Sequence, residues 1–338
     1  MKNRLKTKLE VLRDNYAQKT GNPFKHFYCP ILYKDENKPL CMGHIVNFAF
    51  PNSARAWTAQ REDVDNFYGS MFESDFTILQ HSKKYSPDEI LRDKQLAKKI
   101  NPKILLNGNS VDYYYAENNV PSHFSSFIIE NDGQSTNLAL KMTPEEVLSE
   151  INSNWEIDIS RDVRLPSLVS LIKAAHLTLF DMLGYDYALS AGGHFVGHEI
   201  LGVFYENNKN KLKQEVLNNA LQFFRSFVHM IRPVLHNGLK LQGTISDNQM
   251  LACRDIDNNI WALIVFIRTD QNLHSVLIPI FEKQETISNF LNFLESENEI
   301  IEANSCSFKN GKWGISTKSV KLTWPKVGIL YPEMDVAK

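Results

Sequence analysis

Apolar residues recur along this chain at two spacings, and the spacings sort it into helices and strands. Leu5, Leu9 and Leu12 share one face of an otherwise charged stretch, which predicts a helix over Lys2–Lys19, ended by Gly21, Asn22 and Pro23. Ser86–Ile100 opens on Ser-Pro-Asp-Glu and stops before Asn101-Pro102, as helices do. Pro166–Leu183 carries the clearest helical period: Leu168, Leu171, Ile172, Ala175, Leu179, Met182 and Leu183 recur at helical spacing, and Gly184 closes it. Lys209–His229 and Ile287–Leu294 are also predicted helices, and Thr143-Pro144-Glu145-Glu146 opens a short one by a capping box.

Strand-like runs cover Lys103–Leu106, Val111–Tyr115, Phe124–Glu130 and Asn137–Met142. Asn107-Gly108 and Asp132-Gly133 punctuate them as hairpin turns. Three more strands are predicted at Met250–Asp255, Ile260–Arg268 and His274–Phe281, and a last hairpin about Asn310-Gly311. The pattern predicts an α+β protein with antiparallel strands and long amphipathic helices. It divides into an N-terminal helix (1–23), a small module (24–80) and an α+β domain (81–338) divisible near 160.

Composition changes this picture little. With 338 residues, 43% hydrophobic and 22% charged, the chain is of ordinary globular make-up. A net charge of −2 excludes a protein basic overall, of the histone or ribosomal kind, but leaves room for local phosphate-binding stretches. Lys2, Arg4, Lys6 and Lys8 form one such stretch; Lys94, Lys98, Lys99 and Lys103 form another, which reads as a solvated helix face. No apolar run is long enough for a membrane span, and the polar N-terminus does not read as a secretory signal. Four cysteines, Cys29, Cys41, Cys253 and Cys306, make no disulfide framework, so a reducing cytoplasm is the expected setting.

The chemistry-bearing residues concentrate in Phe24–Phe76. A polar turn at Asp35–Lys38 separates two extended pieces, and Cys41-Met-Gly43-His44-Ile45 lies on the second. Further on, Arg61-Glu62-Asp63-Val64-Asp65-Asn66-Phe67-Tyr68-Gly69 reads as a helix start, its acidic cluster suiting a helix N-terminus. Hairpin, histidine, then a short helix with Asp and Asn resembles the ββα-metal layout of HNH nucleases. The closest likeness is to the subgroup with Glu-His-Ile-Ile-Pro on the strand and Cys-x-x-Cys-Asn-x-x-Phe-Gly at the helix. His44-Ile45 matches the first motif, Asp65-Asn66-Phe67-Tyr68-Gly69 the second, and Pro166–Gly184 with Lys173 looks like the helix that follows.

The resemblance implies a metal-dependent endonuclease. His44 would be the general base on an attacking water, and Asp65 and Asn66 would hold a divalent metal, Mg²⁺ or Mn²⁺ with Zn²⁺ as the alternative. The substrate would be nucleic acid, DNA before RNA, and an association with bacterial defence follows by analogy only. The departures matter as well. Only Cys29 stands at a zinc-cysteine position, with Leu32, Arg61 and Val64 at the other three, so no four-cysteine zinc is expected. Gly43 stands where the subgroup has an acid, and Thr58 where it has its middle Asn.

Other readings compete. Cys29, Cys41 and His44 could hold a metal in a rearranged site, although a buried free-cysteine pair is the plainer reading. His44 could be structural. Arg55, Trp57 and Arg61 interleave cation and aromatic and could contact nucleic acid, or Trp57 could be core. Gly192-Gly193-His194-Phe195-Val196-Gly197-His198-Glu199 has a chelating His spacing, but its glycines predict a tight turn instead. The rival functions are an inactive nucleic-acid-binding or sensor protein on a decayed HNH scaffold, and a partner-binding regulator in which the Leu168–Leu183 surface matters most; a protein partner or a homo-oligomer is open in either case.

Overall fold

The computed structural model describes residues 2–50, 56–74, 76–77, 103–106, 109–113, 125–131, 134–142, 155–158, 164–207, 228–231, 249–254, 260–269, 272–280, 290, 299–309 and 312–324. The predicted helices at Ser86–Ile100, Thr143–Ile151 and Ile287–Leu294, apart from Phe290, lie outside these residues. So does Lys209–His229 except its end. Val228–Ile231 there is strand rather than helix, because it pairs with another strand of a sheet.

The chain is α+β and divides into two compact units, Met1–Phe76 with Arg164–Tyr331, and Thr77–Val163 with Pro332–Lys338. The second unit carries β3 (Lys103–Leu106), β4 (Asn109–Tyr113), β5 (Ser125–Asn131), β6 (Gln134–Met142) and β7 (Trp155–Asp158). They form one antiparallel sheet in the order β6-β5-β4-β3-β7. The Asn-Gly and Asp-Gly pairs fall between β3 and β4 and between β5 and β6, as the turn residues predict.

The first unit begins with α1 (Lys2–Thr20), which buries Leu12 and sets Tyr16 against Phe24, Tyr28 and Tyr185. Next come β1 (Leu40–His44), β2 (Trp57–Arg61) and α2 (Glu62–Tyr68). The α3 helix (Arg164–Leu183) is followed by the short turns α4 (Tyr185–Ala188), α5 (Ala191–His194) and α6 (Val203–Asn207). A six-stranded antiparallel sheet comprises β8 (Val228–Ile231), β9 (Gln249–Arg254), β10 (Ile260–Thr269), β11 (Asn272–Pro279), β12 (Glu299–Lys309) and β13 (Lys312–Trp324). Its order is β13-β12-β9-β10-β11-β8, and α3 packs on β10 and β11.

Three expectations are corrected here. Residues 24–80 do not form a unit apart from the rest, because Tyr68 donates a buried hydrogen bond to the Leu201 carbonyl and α3 reaches under the helix that follows β2. The hairpin exists, but its strands do not flank Asp35–Lys38. Asp35 accepts backbone hydrogen bonds from Lys25, His26 and Phe27 at 2.6–3.0 Å, which folds that segment into a compact loop. The free strand then pairs with Trp57–Arg61, so His44 sits on the first strand, opposite Trp57. Third, α3 is not an amphipathic surface helix open to a partner, since every residue from Ser167 to Phe180 is buried. Its polar side chains are tolerated because they find internal partners: Ser170 bonds the Pro166 carbonyl and Thr178 the Ala174 carbonyl.

Candidate functional site

His44 ends β1, and two aromatic rings fix its imidazole. The Trp57 ring lies 3.5 Å away between centroids, tilted 36°, and the Phe48 ring 5.5 Å away. Trp57 thus serves as a support for His44. Gly43 lies close under two side chains: a Cβ there would press on the end of the Gln60 side chain and lie 3.0 Å from Asp65 Cγ, so both would have to shift. The acid that the resemblance expects before the histidine would displace the Gln60 side chain from this position.

The α2 helix starts at Glu62, the first residue of the acidic cluster that predicts a helix N-terminus there, and continues through Gly69–Glu73 in a wider π-helical turn. That continuation brings Asp65, Asn66, Ser70 and Glu73 to one side. Together with His44 and Asn47 they line an open cleft of about 530 Å³, with Phe48, 58% exposed, at its edge. The structure therefore brings the expected general base and both expected helix residues into one site. It adds Asn47, Ser70 and Glu73.

Below the cleft lies Lys173, fully buried in the middle of α3. Its ammonium is 2.7 Å from Glu73 Oε1 and 3.2 Å from Asp65 Oδ1. Desolvation alone would pull the lysine pKa down, but Glu73 and Asp65 outweigh it and hold the group above its ordinary value. Asn47 donates to Glu73 Oε2 at 3.3 Å, and the Cys41 thiol faces Asp65 Oδ2 at 3.7 Å. Burial, reinforced by the Asp65 charge, pushes that thiol up to about 12.

Held this way, Asp65 offers no vacant carboxylate oxygen to a divalent metal. All four carboxylate oxygens of Asp65 and Glu73 already face a donor, and an ammonium stands between the two groups. Among the described residues, no three His, Cys, Asp or Glu side chains converge to hold an ion. The rearranged Cys29, Cys41 and His44 centre fails likewise: Cys29 is buried, with its thiol pushed up to about 11 by desolvation.

The expected nucleic-acid contacts fare unevenly. Arg55 lies outside the described residues. Arg61 is 3% exposed, and its guanidinium is held by Asp63 through two contacts of 3.0 and 2.6 Å and by Glu36, so it is not available to a phosphate. The glycine-rich stretch 192–199 is also corrected: it is helical, α5 running into a π-helical turn over Phe195–Gly202. Its glycines allow contact rather than bending, since a Cβ at Gly197 would strike the Pro30 carbonyl and His176 Cε1, and one at Gly192 the Pro279 backbone. His194 and His198 each meet the Tyr33 ring edge-on, and His194 faces Glu199.

Glu73 and the role of Lys173 went unseen in the sequence. The usable signal was a single lysine in the apolar centre of a helix, which calls for a buried carboxylate somewhere. No protein-family model, curated protein or solved structure matches this chain. Among the described residues no helix is long and apolar enough to cross a membrane.

Proposed function

We propose that the cleft acts on nucleic acid, hydrolysing phosphodiester bonds with His44 as general base, on an HNH-like arrangement of hairpin and helix. The observation that carries this reading is that His44, from a strand, and Asp65 and Asn66, from the following helix, line one open cleft. In the proposed step the imidazole takes a proton from water as the water oxygen bonds to phosphorus. The bond to the leaving oxygen breaks with its electron pair on that oxygen, which takes a proton from solvent, and the imidazolium then returns its own proton to water. Asn66 and Ser70, both exposed in the cleft, supply neutral hydrogen-bond donors to the phosphate oxygens. Trp57 and Phe48 keep the imidazole aimed. No step is assigned to a metal.

Single- and double-stranded DNA and RNA incubated with the full chain, in EDTA and in Mg²⁺ or Mn²⁺, test the reading. Cutting should appear, and His44→Ala should lower it by about 10²–10⁴-fold while binding is retained. A parent protein that cuts none of these substrates, or a His44→Ala protein that cuts at the parent rate, ends it. A second reading has its own support. Asp65 and Glu73 are both engaged by Lys173, which favours a module that binds nucleic acid without cutting. Binding without product in the same assay would select it.

A further inference from the structure

Asp65 and Glu73 lie along one side of a single helix and face the same point. Two carboxylates converging in this way repel each other unless a cation sits between them. Here the cation comes from the protein. The Lys173 ammonium lies within 3.2 Å of both and 5.5 Å from the centroid of the Tyr68 ring, so two anions and an aromatic face surround it. Its neighbours along α3, Leu171, Ile172, Ala174 and Ala175, are all buried.

We propose that the Lys173 ammonium is the resident cation of the cleft, taking the position that Asp65 and Glu73 would otherwise give to a divalent metal ion. The assignment rests on reading the cleft as the functional site, but not on hydrolysis there. The ammonium cannot simply step aside. Lys173 has no exposed surface, and among the described residues its ion pairs are those with Asp65 and Glu73, so an entering metal would drive a charged group back towards the buried apolar interior. The exchange is therefore one-sided while lysine is present. Removing its charge and keeping its length should reverse the preference, leaving two carboxylates, the Asn47 amide and open water for an oxygen-seeking ion.

The test is Mn²⁺ binding by the full chain, read from the loss of the free-ion electron paramagnetic resonance signal. The parent protein should take up no Mn²⁺ that depends on Asp65. Lys173→Met should gain one ion per chain with micromolar affinity, its melting temperature should rise with added Mn²⁺, and Asp65→Asn in the same chain should remove both effects. Lys173→Gln, shorter and polar, should gain the same ion and serves if the methionine chain does not fold alone. A parent protein binding one Mn²⁺ that Asp65→Asn abolishes overturns the proposal. So does a folded Lys173→Met chain that binds none, or a pair of variants that stay unfolded at saturating Mn²⁺. None of these readouts depends on cutting, so failure of the hydrolytic reading stays separate.

Discussion

Lys173 and His176 lie one turn apart on α3, both with no exposed surface, in surroundings that treat charge in opposite ways. The turn that reaches the cleft offers Lys173 two carboxylates, which raise its pKa against desolvation. The turn that meets the Pro30 loop offers His176 only a carbonyl and a phenol: Nε2 lies 3.1 Å from the Pro30 oxygen and Nδ1 2.9 Å from Tyr187 Oη. A carbonyl can only accept, so Nε2 carries the proton, and Tyr187 donates its hydroxyl to Nδ1. The ring is thus satisfied while neutral, and burial pushes its pKa down from 6.5 to about 4. Burial alone does not decide whether a group is charged; the partners waiting at the end of the side chain do.

Three experiments would break or sharpen this contrast. The largest effect belongs to Lys173→Met in the absence of metal, which leaves Asp65 and Glu73 facing each other. Urea unfolding should show a loss of about 3–5 kcal/mol, much of it recovered when Glu73→Gln is added. A loss below 1 kcal/mol would mean that the carboxylates never needed the ammonium. The alkaline limb belongs to the same group: its stabilisation is present below the unfolded value of 10.5 and is lost only as the pH climbs through the raised folded value.

His176 sets the opposite limb. Its folded pKa of about 4 lies below the unfolded 6.5, so between them the unfolded chain binds the proton first. Its contribution is complete above pH 6.5 and is lost towards pH 4, roughly 3 kcal/mol in all at about 1.4 kcal/mol per unit. Unfolding free energies measured across that range should fall less steeply in His176→Gln than in the parent. Equal slopes would mean that the ring is charged in the fold. The smallest effect is expected from Tyr187→Phe, which strands Nδ1 as a buried acceptor and should cost roughly 1–3 kcal/mol at neutral pH. No measurable change would put the phenol outside the network.

Legibility in the sequence followed the range of the interactions. The Asn-Gly and Asp-Gly turns located β-hairpins because turn conformation is set by neighbouring residues. The acidic run Glu62, Asp63, Asp65 located the start of α2 for the same reason. His44, Asp65 and Asn66 were singled out by motif and do line one cleft. The partner of β1 was not legible, because Asp35 captures the Lys25–Phe27 amides and so removes the nearer strand from competition. The helix through 191–202 was missed because glycine has low helix propensity when counted locally. Its value here is close approach to Pro30 and Pro279, which local counting does not register.

The sequence by itself determined that Pro166–Leu183 is a helix, since a repeating apolar period needs no knowledge of what it packs against. It determined too that Lys173 and His176 would share a face, because they stand three residues apart. Only the tertiary structure decided that this face is buried, that the lysine keeps its proton between Asp65 and Glu73, and that the histidine stays neutral. The reason is physical. The charge of a buried group is fixed by the atoms within a few ångströms of it, and those atoms come from residues far away along the chain.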